Sequence, residues 1–78
     1  MTQSLQGLYT EVIQHFGGQQ KTADALNVKQ SSVTNWKRGI SNMKPLTAAK
    51  VQELTGGDFK AADLCPELKE VLAILDVA

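Results

Sequence analysis

The chain has 78 residues, 42% of them hydrophobic and 21% charged, with eight Lys and Arg balanced by eight Asp and Glu. Such a length allows one domain with one core, here expected over residues 1–78, and the mixture is too apolar for a disordered tail and too ordinary for a fibre. A single cysteine, Cys65, excludes an internal disulfide, no run reaches the ~20 apolar residues that span a bilayer, and the start MTQSLQGLYT lacks the blocks of a signal peptide, so the expected location is the cytoplasm.

Helical signals follow one another along the chain. Ser4 suits an N-cap, and Leu5, Leu8, Tyr9, Val12, Ile13 and Phe16 recur at three- and four-residue spacing until Gly17-Gly18 stops the run. The segment QQKTADAL, Gln19 to Leu26, is rich in helix formers and is followed by Asn27, a residue that tolerates a left-handed backbone. After Val28 comes KQSSVTNWKRG, in which Val33 and Trp36 are one turn apart and Gly39 ends the helix. Lys29 stands where Ser, Thr or Asp would cap this third helix better. Pro45 opens a fourth helix with Leu46, Ala49, Val51 and Leu54 inside and Gly56-Gly57 as its stop. Residues 58–64 read as a loop in which a β-hairpin is the alternative, and Pro66 begins a short amphipathic last helix, 66–76. The expected fold is all-α, a compact bundle of about five short helices.

The most specific pattern lies between Gln19 and Gly39. Two short helices cross closely only where a small residue lets their backbones approach and a flexible one makes the turn. Ala23 meets the first need and Asn27 the second, while Leu26, Val28, Val33 and Trp36 supply the apolar surface that joins the two helices. The other face of the third helix carries amides, hydroxyls and cations, with no Asp or Glu from Lys29 to Arg38. The neutral total also conceals a polarity. Residues 1–54 hold six bases and three acids, a net of +3, whereas residues 55–78 hold two bases and five acids, a net of −3. Such an asymmetry orients a protein on a polyanion.

The span VIQHFGGQQKTADALNVKQSSVTNWKRGI, with the proline and the ELTGG helix end that follow, resembles the helix-turn-helix of small phage and prophage repressors of the Cro type. The likeness covers roughly residues 8 to 57, departs from the usual glycine at Asn27, and implies a lambda-repressor-like DNA-binding domain in a protein of phage or prophage origin. It implies double-stranded operator DNA and a second copy of the chain as partners, and neither enzymatic activity nor a small-molecule substrate. In the docking known for this family, the start of the second motif helix enters the major groove and the first crosses the backbone. On that basis Gln30 is the leading base reader, because a glutamine amide pairs with adenine N7 and N6, and Ser31, Thr34 and Asn35 lie within a turn of it. Lys29, Lys37 and Arg38, with Gln19 and Gln20 at the start of the first motif helix, are suited to phosphates.

Other residues carry less. Trp36 could stack on unpaired bases, but its spacing from Val33 assigns it to the core. His15 lacks the companions of a metal site, the acids lack a nucleophile and a base, and the glycine pairs lack the spacing of a phosphate loop, so no cofactor, metal or catalytic residue is expected. In the tail, Leu68, Val71, Leu72 and Leu75 form a stripe beside Ile74, flanked by Glu67, Lys69, Glu70 and Asp76. The stripe suits either the domain's own core or a dimer interface. The competing function is a protein-interaction or antitoxin-like module on the same scaffold.

Overall fold

The structure is a computed structural model that describes residues 4–77, and of the last two of these the backbone alone. Asp76, which the sequence puts on the polar flank of the tail, therefore has its side chain outside the described part. Among the described residues six helices follow one another: α1 (Leu5–Phe16), α2 (Gln19–Leu26), α3 (Gln30–Arg38), α4 (Pro45–Leu54), α5 (Ala61–Leu64) and α6 (Pro66–Val77). The fold is all-α, and the described residues contain no strand. One difference from the expected loop is α5, a single turn inside residues 58–64. Its first amide, that of Ala61, donates to Gln52 Oε1 at 2.8 Å, so a side chain of α4 supplies the acceptor that a four-residue helix cannot find in itself.

The chain divides after Asn42 into two compact units. In the first, α1, α2 and α3 each pack against the other two. Its buried residues are Tyr9, Val12, Ile13, Thr22, Ala23, Leu26, Val33 and Trp36, with Leu5, Leu8, Phe16 and Val28 half-buried. The rings of Tyr9 and Trp36 lie 6.1 Å apart at 44°, within the range of tilted aromatic pairs. Buried Thr22 satisfies its hydroxyl by donating to the Gly18 carbonyl at 2.7 Å, a polar core residue that the apolar periodicity did not mark.

All three helices of this unit stop in the same way. Gly17, Asn27 and Gly39 adopt left-handed backbones, and the next amide reaches back to a carbonyl of the last turn, Gly18 to Ile13, Val28 to Ala23 and Ile40 to Asn35, at 2.9–3.0 Å. Asn27, at φ 56°, is the described non-glycine residue with a positive φ. An L-residue with a Cβ pays about 1–2 kcal/mol there unless its side chain eases the strain. Accordingly, Asn27→Ala is expected to lower stability by about 1–2 kcal/mol in urea denaturation with an unchanged m-value, while Asn27→Gly is close to neutral.

In the second unit, α4 packs on α5 and α5 on α6. The buried residues are Met43, Ala48, Val51, Thr55, Ala61, Leu64 and Cys65. This corrects the inward face expected for α4. Ala48, Val51 and Thr55 lie inside at i, i+3 and i+7, whereas Leu46 is 84% exposed and Ala49 and Leu54 are exposed too. At 3.6 residues per turn Leu46 stands on the opposite side of α4 from that stripe. Buried Thr55 fits because its hydroxyl donates to the Val51 carbonyl at 2.7 Å. On α6, Leu68 is half-buried, while Val71, Leu72, Ile74 and Leu75 are exposed.

Candidate nucleic-acid interface

The geometry of the interface follows from α3 having one closed and one open side. Val33 and Trp36 are buried, and they fix the rotation of α3 about its axis. Gln30 and Ser31 in the first turn are then exposed, Thr34 and Asn35 in the next are half-buried, and Lys37 and Arg38 at the end are exposed. Gln30, Ser31, Thr34, Asn35 and Arg38 share a face because their offsets of 1, 4, 5 and 8 fall within about 140° of one another. The two cations sit in the last turn of α3, where the helix dipole favours them.

Both motif helices begin without a side-chain cap. Gly18 precedes α2 and Lys29 precedes α3, and neither offers a side-chain acceptor to the first amides. Free amides at a helix start attract an anion. Gln19 is half-buried at the start of α2, and Gln20 beside it is exposed. Part of the Gln20 amide is engaged within the helix, donating to Asp24 Oδ1 at 3.1 Å. Lys29 is exposed ahead of α3.

Three features were absent from the sequence reading. Gln6 in α1 donates through Nε2 to the Lys37 carbonyl at 2.7 Å and so holds the C-terminal end of α3 from outside the motif. The same side chain lies 3.2 Å from where a Cβ on Gly39 would stand, so glycine there serves both the left-handed backbone and the clamp. Thr34 donates to Gln19 Oε1 at 2.7 Å, a bond between the two motif helices. Lys21 adds an exposed cation to the first turn of α2, its aliphatic stem lying over Gly17. The two glutamine bonds span 31 and 15 residues, separations at which periodicity carries no signal. Lys21 was legible as a base close to Gln19 and Gln20.

Residues with no place in this interface are also located. His15 is exposed, its ring edge-on to Phe16 at 5.3 Å, and Cys65 is a buried free thiol. Among the described residues no cluster of His, Cys, Asp or Glu could hold a metal ion, and no helix is long and apolar enough to cross a membrane.

Residues 9–70, which include all of α2, α3 and α4, match the profile of the family described as DNA-binding transcriptional regulator Cro. The chain belongs to the Cro family. Like the family, it is a DNA-binding transcriptional regulator, and the family is one of regulators rather than enzymes. This Cro-family chain is also similar to the regulatory protein cro of Pseudomonas phage D3, with 49% identity over 59 residues that cover 76% of this chain and 81% of the phage protein. No solved structure gives a significant match.

Proposed function

We propose that this Cro-family regulator is a sequence-specific repressor that binds a palindromic operator as a homodimer in the bacterial cytoplasm, each subunit placing the start of α3 in the major groove. The observation that carries the reading is the open polar face of α3, with Gln30 and Ser31 exposed at its leading end and buried Val33 and Trp36 behind it. In this arrangement Gln30 pairs with adenine, and Ser31, Thr34 and Asn35 supply further contacts to base edges. The uncapped starts of α2 and α3, with Gln19, Gln20, Lys29, Lys37 and Arg38, take phosphate oxygens and set register.

The second copy is proposed to dock on α6. One helix-turn-helix covers a single half-site, which rarely suffices among many competing sites, and Val71, Leu72, Ile74 and Leu75 leave an apolar surface exposed on this helix. Truncation after Pro66 is then expected to abolish cooperative operator binding and leave weak half-site binding. A truncated chain that no longer folds would assign the stripe to the subunit's own stability.

Titration of random duplex across a salt series tests the DNA-binding face. The logarithm of affinity falls against the logarithm of salt with a slope near −0.9 per phosphate neutralised. Arg38→Ala is expected to weaken all sequences alike and to flatten that slope by about one. A variant with the same slope as the wild type would remove Arg38 from the phosphate contacts, and an absence of binding even at low salt would favour the protein-interaction module.

A further inference from the structure

A helix leaves the carbonyls of its last turn without amide partners of its own. In α3 these belong to Asn35, Trp36, Lys37 and Arg38. The chain that follows serves two of them locally, Ile40 donating to the Asn35 carbonyl at 2.9 Å and Gly39 to that of Trp36 at 3.2 Å. The Lys37 carbonyl is reached from another helix, by Gln6 Nε2 in the first turn of α1, at 2.7 Å. The Gln6 amide lies across Gly39, its Oε1 3.2 Å and its Cδ 3.5 Å from where a Cβ would stand. Gln6 is exposed, so burial does not account for its place.

We infer that Gln6, which lies outside the two-helix motif, is a positioning residue for the phosphate contact of Arg38. The inference rests on the DNA-binding face proposed above. The Lys37 carbonyl belongs to the same planar peptide unit as the nitrogen and Cα of Arg38, so a donor that fixes the oxygen also fixes the point from which the Arg38 side chain departs. Helix ends open more readily than helix middles. A guanidinium carried on a loose last turn has to be ordered as it meets the phosphate, and that ordering weakens binding. With the turn held from α1, Arg38 is presented in advance. The left-handed Gly39 contributes by leaving the space in which the Gln6 amide lies.

The test joins amide hydrogen exchange on the free protein to a double-mutant cycle on DNA. Gln6→Met keeps the length of the side chain and removes the donor, and as an exposed substitution it is expected to fold, which a melting curve checks. In the free protein the amides of Arg38, Gly39 and Ile40 are expected to exchange about 2- to 10-fold faster than in the wild type, the worth of one hydrogen bond. Gln6→Lys, whose ammonium can donate to the same carbonyl, slows them again. On random duplex at low salt, fluorescence anisotropy is expected to show Gln6→Met weakening binding about 2- to 10-fold when Arg38 is present. In the Arg38→Ala background the same change weakens it by about 1.5-fold or less, because the two residues act through one contact. A Gln6 amide that touched a phosphate itself would give equal losses in both backgrounds, and a bond that served stability alone would give faster exchange with no loss on DNA. Either result would overturn the inference, as would unaltered exchange. Arg38→Ala with the salt slope of the wild type would overturn the proposed phosphate contact, and the inference with it, a different result from a flattened slope beside equal losses.

Discussion

Replacing Trp36 by alanine is expected to lower the stability of the protein by about 3–5 kcal/mol, the cost of removing a large aromatic side chain from a packed interior. Trp36 is 4% exposed and packs against Tyr9, and together with Val33 it closes the inner side of α3. A domain of this length has only about 4–12 kcal/mol of stability in all, and each kcal/mol is worth roughly 4–8 °C of melting temperature. The variant therefore melts tens of degrees lower or does not fold, as circular dichroism on heating would show. Trp36→Phe restores most of the buried surface and is expected to retain the operator preference of the wild type. A stable Trp36→Ala that folds normally and loses only DNA binding would mean that the indole stacks on bases, contrary to its burial.

Gln30→Ala is expected to have the largest effect on recognition. Gln30 is exposed in the first turn of α3, one turn from the half-buried Thr34 and Asn35, where a bidentate pair with adenine is worth about 1–3 kcal/mol of discrimination. The variant should fold as the wild type does, since an exposed substitution changes stability by about 0.5 kcal/mol or less. Its operator affinity should fall about 5- to 150-fold, with preference relaxed at one base pair per half-site and the salt slope unchanged. The contrast with Arg38→Ala separates reading from holding. A Gln30→Ala protein that lost affinity equally for every sequence would move Gln30 from the base readers to the phosphate contacts.

Particular residues show how far the sequence could be read. The ends of α1 to α3 were legible because each stop is local, a left-handed Gly or Asn directly after the last helical residue, whereas Lys29 left the start of α3 marked only to within about a residue, and Pro45 announced the start of α4. The open face of α3 followed from the spacing of Val33 and Trp36. The inward face of α4 was misread because Leu46, Ala49 and Leu54 are apolar, while Thr55, which has a hydroxyl, is buried and satisfied by the Val51 carbonyl. Hydrophobicity alone cannot rank a leucine below a threonine whose hydrogen bond is already made. The α5 turn was missed for a similar reason, since its start depends on the Gln52 side chain nine residues earlier. At the interface, residue types and exposure on α3 could be anticipated, but the bonds from Gln6 to Lys37 and from Thr34 to Gln19 exist only once three helices have packed.

Selection of bound duplexes from a random pool tests the central claim most directly. The account predicts enrichment of a palindrome whose half-site centres lie about 34 Å apart, one turn of the double helix, with an adenine in each half-site whose preference disappears in Gln30→Ala. A pool that remained random after successive rounds, or an enriched sequence to which Gln30→Ala bound with unaltered preference, would contradict it.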